Sequence, residues 1–178
     1  MRPDRVNGSM HSALVLVRTV AGERRERLHQ ALVRSLAALV PALMEDCLRE
    51  ATLVGAPDLG LADIADHAGC GLSVDADPAR AFESALAAAR CDRVFVLEAG
   101  YAPLAGFIDE LKELEGARGA FALRLAPDGL LARLAPRLSP VVGLSAPRRA
   151  CMARGFAGAA AAAGGLGART LATRARRV

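Results

Sequence analysis

Three stretches of the sequence carry residues that could do chemistry, and each follows a run typical of a buried strand. Glu98 ends "RVFVLE" and is followed by Gly100 and Tyr101, while Asp58 lies in the loop after "ATLV" and Thr19 comes soon after "SALVLV". In a parallel α/β sheet, ligands bind beyond the carboxyl ends of the strands, so we expect these residues to meet at one edge. Carboxylates there could bind a divalent cation or accept a proton from a substrate hydroxyl.

Alternating strand and helix signals must place these residues at that edge. Short apolar runs predict strands at Ser12–Val17, at Ala51–Val54 and within "GLSVDA" and "RVFVLEAG". Leucines at helical spacing follow Glu23, "LADIADHAG" predicts a short helix, and "DPARAFESALAAARC" predicts a helix with Asp77 as its N-cap. This alternation over the first 115 residues predicts right-handed βαβ units. The predicted fold class is a single-domain, Rossmann-like α/β fold, with a mostly parallel sheet flanked by helices.

Weaker signals come from the rest of the chain and from one proline. "PLAGFIDELKELEG" predicts a helix, and the period-2 pattern of "GAFALRLA" predicts a half-buried strand. "LLARLAPRL" predicts a helix up to Pro136, and we expect a strand near Val141 and a helix over Gly155–Ala163. Pro41 is expected to interrupt the first helix, because proline removes a backbone hydrogen bond.

Composition limits the functions that the chain could have. Its 178 residues suit one domain, and 53% hydrophobic with 24% charged residues is typical of a globular protein. No apolar run approaches the ~20 residues of a membrane span. The four cysteines are widely spaced, which is typical of free thiols in a reducing compartment. The sequence therefore predicts a cytoplasmic protein.

Positive charge is concentrated towards the end of the sequence. The net charge is +4, and the last four arginines are Arg169, Arg174, Arg176 and Arg177. Such residues could contact nucleic-acid phosphates, but an aromatic content of 3% leaves few platforms on which bases could stack. We therefore interpret residues 169–178 as a basic tail, residues 1–11 as a flexible N-terminus and residues 12–168 as the folded domain.

Two longer stretches resemble a known family. They are "LAALVPALMEDCLREATLVGAPDLGLADIADHAGC" and "AFESALAAARCDRVFVLEAGYAP", and they resemble bacterial family-2 glycosyltransferases of the GT-A fold, of the short, alanine-rich proteobacterial type. The resemblance covers about residues 12–115. It implies a GT-A-like domain that binds a nucleotide-diphosphate sugar. In that family, carboxylates at the ends of the second and fourth strands hold the nucleotide and a divalent cation.

The chain departs from the family pattern at the positions that carry this chemistry. The acid of the second loop falls on Gly55, and Asp58 is displaced from it by three residues. The metal-binding acid of the fourth strand falls on Gly100, while Glu98 occupies the preceding variable position. After Asp128 the sequence contains no Asp or Glu that could act as the base. The resemblance therefore implies a site without its usual carboxylates.

Several candidate site residues follow from the resemblance. The candidate nucleotide-sugar contacts are Thr19, Gly55, Asp58, Arg80, Gly100 and Tyr101. Glu98 and Asp58 are the candidates for a base, although Glu98 could equally make a loop hydrogen bond or cap a helix, and Tyr101 could pack in the core. Arg148 and Arg149 could bind a diphosphate, because guanidinium groups make bidentate contacts with phosphate. No cofactor is expected, with Mg²⁺ or Mn²⁺ binding only if Glu98 retains a site.

Three functions are compatible with the sequence. The preferred one is a degenerate nucleotide-sugar-binding or assembly module, a pseudoenzyme that acts as a homo-oligomer or beside an active glycosyltransferase. The alternative is an active, metal-independent glycosyltransferase that moves a sugar to an envelope or polysaccharide acceptor. The third is a basic nucleic-acid-binding protein, which the low aromatic content disfavours.

Overall fold

The computed structural model describes residues 10–18, 25–114, 116–127, 139–153 and 158–178, which form one sheet with helices on both faces. The strands are β1 (His11–Leu16), β2 (Leu48–Gly55), β3 (Gly71–Val74), β4 (Arg93–Glu98), β5 (Tyr101–Pro103), β6 (Phe121–Leu125), β7 (Val141–Pro147) and β8 (Arg169–Arg177). The helices are α1 (Arg25–Met44), α2 (Leu61–Ala68), α3 (Pro78–Ala88), α4 (Phe107–Glu113), α5 (Arg148–Met152) and α6 (Ala159–Gly165). A 3-10 turn spans Pro57–Leu59.

The sheet has eight strands in the order β3-β2-β1-β4-β7-β6-β8-β5. Strands β1, β2, β3 and β4 are parallel, as the sequence predicts. Strand β7 is antiparallel to both β4 and β6, and β8 is parallel to β6. Because two reversals restore the original direction, β6 and β8 run the same way as β4. Strand β5 is antiparallel to β8 and therefore begins where β8 ends.

Six strands consequently end at the same side of the sheet, which we call the carboxyl edge. It is formed by the residues at and just beyond Leu16, Gly55, Val74, Glu98, Leu125 and Arg177. Strand β5 begins at this edge with Tyr101, and β7 begins there with Val141. The opposite side, the amino edge, is where β1 begins at His11, β4 begins at Arg93 and β7 ends at Pro147.

The core has two layers, because successive side chains of a strand face opposite sides of the sheet. Ala13 and Val15 of β1 pack in the layer that holds the buried residues of α1, α2 and α4. Leu14 and Leu16 pack in the other layer, with the buried residues of α3, α5 and α6. All six residues of β1 are buried, which explains why the strand is apolar from Ala13 to Leu16.

Most strands and helices of the parallel half lie where the sequence predicts them. Asp77 is the N-cap of α3, as expected, and its carboxylate accepts a hydrogen bond of 2.9 Å from the Ala79 backbone N–H. The expectation for Pro41 was wrong, because α1 continues through it to Met44. Pro41 removes one backbone hydrogen bond from α1, and the fully buried Leu39 and Ala42 anchor the helix on both sides of it.

The end of the sequence is a strand, and the expectation of a basic tail over residues 169–178 was wrong. Strand β8 pairs with β6 on one side and with β5 on the other. Leu171 and Ala175 are buried in the core, while the Glu110 carboxylate accepts a hydrogen bond of 2.9 Å from the Thr173 N–H. A register shift interrupts the pairing with β6. Only Leu171 and Ala175 of the nine residues of β8 are buried, so its sequence lacks the apolar run by which the parallel strands were predicted.

Two further expectations concern other parts of the chain. Residues 128–138, where the sequence predicts a helix, lie outside the described residues. Among the described helices, none has the length and the apolar character that crossing a lipid bilayer requires.

A buried polar cluster ties the strands together at the amino edge. His11 Nε2 lies 3.0 Å from Ser145 Oγ, and the Arg93 guanidinium donates to the same hydroxyl at 3.1 Å. Arg93 also donates to the Gly119 carbonyl, at 3.1 Å. Burial, together with the positive charge of Arg93, lowers the pKa of His11 from 6.5 to about 4. His11 is therefore neutral in the folded protein at ordinary pH.

This cluster predicts that the protein loses stability as the pH falls from about 6.5 to about 4. The unfolded chain takes up a proton on His11 below its ordinary pKa of 6.5, whereas the folded protein resists protonation until its pKa of about 4. The loss attributable to His11 is expected to reach up to about 3 kcal/mol of unfolding free energy. The measurement is chemical denaturation at several pH values. Between pH 6.5 and pH 4, the free energy of unfolding of His11→Gln should decrease less than that of the unsubstituted protein. His67→Gln, on the surface of α2, should behave like the unsubstituted protein.

Candidate functional site

A cavity of about 360 Å³ opens at the carboxyl edge beside the ends of β1 and β2. Its walls are apolar residues and glycines, with Arg18 as the one charged side chain among the lining residues. The lining residues are Leu16, Val17, Arg18, Val54, Gly55, Ala56, Leu59, Pro78, Phe82 and Gly158. The volume lies within the range of small-molecule pockets, about 300–1,000 Å³, and the position is where open α/β sheets bind ligands.

Gly55 lies in the wall of this cavity, at the end of β2, where a side chain would require its neighbours to shift. A Cβ atom added there would lie 2.8 Å from Leu61 Cδ1 and 3.1 Å from the Val17 carbonyl oxygen. Real Cβ atoms essentially never approach another atom as closely as the first of these distances. The backbone of β2 therefore packs directly against its neighbours at the position where the family resemblance expects an acid.

Glu98 ends β4 beside the cavity, and its carboxylate is already engaged. Its Oε1 accepts a hydrogen bond of 3.0 Å from the Ala159 backbone N–H, at the start of α6. The same oxygen lies 4.0 Å from Arg18 Nη1. Only 17% of the Glu98 side chain is exposed, against 64% for Arg18. Of the roles expected from the sequence, this geometry corresponds to a helix cap.

Gly100 forms the turn that follows β4, and its backbone is held from two sides. Its N–H donates a hydrogen bond of 2.9 Å to Ser35 Oγ of α1, and its carbonyl accepts one of 2.9 Å from the Val178 N–H. The φ angle of Gly100 is +89°, a conformation that residues with a side chain rarely adopt. An aspartate at this position would therefore be strained, although space for a Cβ atom exists there.

Tyr101 begins β5 and is directly paired with Arg177 of β8. The Tyr101 ring is partly buried against the core, and the Arg177 guanidinium carbon lies 5.9 Å from its centroid. This distance is compatible with a cation–π contact. The structure thus combines the core packing expected for Tyr101 with a position at the carboxyl edge.

Asp58 and Arg80 lie at the surface near this edge, but neither is among the residues that line the cavity. The Asp58 carbonyl oxygen accepts a hydrogen bond of 2.6 Å from Arg25 of α1, which fixes the turn after β2. Arg80 lies in the first turn of α3 and its Nε is 3.9 Å from the Asp77 carboxylate. Thr19 lies outside the described residues.

Arg148 and Arg149 are not at the candidate site. Strand β7 is antiparallel to β4, and its last residue, Pro147, pairs with the first residue of β4. Both arginines therefore lie at the amino edge, the full length of β4 away from Glu98. Arg148 Nη1 donates a hydrogen bond of 2.6 Å to the Ala89 carbonyl at the end of α3. No local sequence pattern indicates that β7 reverses direction.

Two groups of residues at the carboxyl edge escaped the sequence-based prediction. Arg18 and Phe82 line the cavity, and β8 brings Arg174, Arg176 and Arg177 to the edge. The buried Leu171 and Ala175, four residues apart in a segment that looked like a charged tail, were the available signal for that strand.

The described residues of the candidate site do not fit a divalent cation. Such ions take several oxygen ligands, usually including more than one carboxylate or carbonyl group. Among the described residues, no group of three His, Cys, Asp or Glu side chains is arranged to hold a metal ion. Glu98 is a single carboxylate, and it is already bound to Ala159 and close to Arg18.

No family model matches the sequence, and no curated protein matches it at a significant level. Solved structures do match. One is glucosyl-3-phosphoglycerate synthase from Mycobacterium tuberculosis in complex with Mn²⁺, UDP-glucose and phosphoglyceric acid, with a TM-score of 0.60, 17% identity, and coverage of 90% of this chain and 69% of that chain. Another is the inositol-1-phosphate CTP transferase from T. maritima, with a TM-score of 0.57, 10% identity, and coverage of 96% and 90%.

The bifunctional IspDF from Campylobacter jejuni is also similar, with a TM-score of 0.58, 10% identity, and coverage of 92% of this chain and 49% of that chain. At these identities the likeness shows the fold alone. The chain therefore has the GT-A-like α/β fold that occurs in glycosyltransferases and nucleotidyltransferases, which confirms the fold class predicted from the sequence.

Substitutions at Gly55 test whether this wall has room for a side chain. Gly55→Ala is expected to lower the free energy of unfolding by about 1–3 kcal/mol, because the new methyl group meets Leu61 and the Val17 carbonyl. Gly55→Asp should cost more, because its carboxylate would also be desolvated. Gly164→Ala in α6, where no heavy atom lies within 4 Å of the new Cβ, should be neutral or stabilising. An unfolding free energy unchanged in Gly55→Asp would show that the site tolerates the acid.

Substitutions at Glu98 test its role as the cap of α6. Glu98→Ala leaves the buried Ala159 N–H without an acceptor, so the free energy of unfolding should fall by about 1–3 kcal/mol. Glu98→Gln keeps an acceptor oxygen and should lose less. Glu83→Ala, at an exposed position on α3, is the matched control, and denaturant titration is the measurement. Equal stability of Glu98→Ala and Glu83→Ala would contradict a capping role.

Proposed function

We propose that this chain is a nucleotide-sugar-binding domain of the family-2 glycosyltransferase kind, in which the metal-dependent catalytic carboxylates have been replaced. The observation that carries the proposal is the packing at Gly55. At the position where the family resemblance expects an acid, a side chain would press against Leu61 and the Val17 carbonyl, and this position lines an open cavity. A binding pocket is retained while the acid beside it is lost.

The cavity supports binding of a ligand with a flat apolar part and an anionic part. Its walls include Leu16, Val54 and Phe82, which suit the faces of a nucleobase, and Arg18 at its rim is exposed enough to meet a phosphate. The GT-A-like fold supports the same assignment, because the similar Mycobacterium tuberculosis enzyme was solved with UDP-glucose. These features favour a nucleoside diphosphate sugar as the ligand class.

The second catalytic position supports the loss of metal-dependent chemistry. Gly100 stands where the metal-binding acid is expected, in a backbone conformation that disfavours an aspartate. Glu98 nearby caps α6 and lies close to Arg18, which leaves it poorly placed to hold a cation or take a proton. The domain would then act as a binding or assembly module, as a homo-oligomer or beside an active glycosyltransferase.

A second candidate function is an active, metal-independent glycosyltransferase. The observation that favours it is Arg18, a cation at the cavity rim that could stabilise the charge on a departing nucleoside diphosphate. Asp58, with its side chain at the surface of the turn after β2, or Glu98 would then have to act as the base. A purely nucleic-acid-binding function has less support, because the chain has only five Phe and one Tyr.

Titration calorimetry with UDP-, GDP- and CMP-sugars, with and without Mn²⁺, tests the proposal. At least one of these nucleotide sugars is expected to bind. Mn²⁺ should not increase its affinity, and its sugar should be neither transferred nor hydrolysed. Ala56→Phe should abolish this binding by filling the cavity, whereas Ala62→Phe, at an exposed position on α2, should leave it unchanged.

Three results would contradict the proposal. Binding that strengthens strongly with Mn²⁺ would show a working metal site, and turnover lost in Glu98→Gln would show a working catalytic carboxylate. Salt-sensitive binding to RNA or DNA, without binding of any sugar nucleotide, would favour the nucleic-acid-binding function instead.

A further inference from the structure

We infer that Arg177, together with Arg18, binds the diphosphate of the nucleotide at the carboxyl edge, in place of a divalent cation. The inference rests on the proposed function, because the nucleoside part of the same ligand would occupy the cavity beside β1 and β2. It replaces Arg148 and Arg149, which the sequence suggested for this task and which lie at the amino edge.

The pairing of β5 with β8 places Arg177 next to the turn where relatives are expected to carry their metal-binding acid. Arg177 is the direct partner of Tyr101, and the N–H of the following residue, Val178, donates to the Gly100 carbonyl. Glu98 lies three residues before Tyr101, so their Cα atoms are at most about 11 Å apart. Arg18 follows the end of β1, and its Nη1 lies 4.0 Å from Glu98 Oε1. Arg18 and Arg177 therefore both lie next to the segment Glu98–Tyr101.

The arginines at this end of β8 have no acidic partner among the described residues. Among all the described residues, the cations that form ion pairs are Arg18, Arg80, Arg90, Lys112 and Arg148. Arg176 and Arg177 are both exposed, and Arg174 has a buried Nη1 atom without a hydrogen-bond partner. Because successive side chains of a strand face opposite sides of the sheet, Arg177 lies on the Tyr101 side and Arg176 on the other. The Arg177 charge thus remains available to an anion beside Tyr101.

The chemistry of these side chains matches a diphosphate. A divalent cation that neutralises a diphosphate also needs oxygen ligands from the protein. Glu98 supplies a single carboxylate here, and it already accepts a hydrogen bond from Ala159 and lies close to Arg18. A guanidinium group neutralises phosphate directly through two parallel N–H donors. The Tyr101 ring beneath Arg177 restricts the guanidinium and so lowers the entropy that binding would cost.

Calorimetric titration in EDTA with matched pairs of ligands tests the inference. The pairs are UDP and uridine, GDP and guanosine, and CDP and cytidine, with inorganic pyrophosphate as a separate probe. In the unsubstituted protein, one diphosphate is expected to bind at least about 10-fold more tightly than its nucleoside, with no gain from Mn²⁺. Arg177→Gln should remove about 10-fold of the diphosphate affinity and leave nucleoside affinity unchanged.

Arg169→Gln is a closely matched control. Arg169 lies on the same strand and over an aromatic ring, with its guanidinium carbon 4.9 Å from the Phe121 centroid, but it lies at the opposite end of β8. This substitution should not change the affinity for either ligand. Arg177→Lys, which keeps the charge and loses the planar fork, should give an intermediate affinity, and it keeps the test decisive if Arg177→Gln is unstable.

The outcomes separate this inference from the proposed function. Equal affinity for a nucleoside and its diphosphate, or a requirement for Mn²⁺, would overturn the inference and leave nucleotide binding standing. Equal effects of Arg177→Gln and Arg169→Gln would also overturn it. No binding of any nucleoside or nucleotide would overturn the proposed function as well. Pyrophosphate binding as tightly as the nucleoside diphosphates would overturn the assignment of this site to a nucleotide.

Discussion

The turn at Ala99–Gly100 is the constraint on which the rest of the structure depends. It joins β4 to β5, which follow each other in the chain but are separated in the sheet by β7, β6 and β8. Because so short a connection spans at most about 11 Å, the sheet must curl until β5 and β8 return to the end of β4. Gly100 permits the turn with its positive φ, and hydrogen bonds to Ser35 and Val178 fix it.

The chemistry available at the carboxyl edge follows from this curl. Gly100 of this turn stands where the family resemblance expects a metal-binding acid, and Arg177 lies next to the turn because it pairs with Tyr101. At the end of β2, a side chain added at Gly55 would require Leu61 and the Val17 carbonyl to shift, which disfavours a second acid there. The edge therefore carries a cavity, the exposed arginines Arg18 and Arg177, and a Glu98 carboxylate that caps a helix, which is a combination suited to holding an anion.

The sequence was sufficient to predict the parallel half of the sheet, because its strands are buried on both faces and alternate with amphipathic helices. It placed Glu98 and Gly100 correctly at the carboxyl edge for the same reason. It could not place Arg148 or Arg177, since their positions depend on long-range pairing: β7 reverses direction, and β8 inserts between β6 and β5. The crowding at Gly55 depends on Leu61 and Val17 meeting in space, which no local pattern reveals.

The most direct test of this account is a crystal structure of the protein grown with a nucleoside diphosphate and Mn²⁺, with anomalous data collected at the manganese edge. The account predicts the base in the cavity between Val17 and Phe82, the phosphates against Arg177, and no anomalous peak near Glu98. A manganese ion bound by Glu98 and bridging the two phosphates would contradict it.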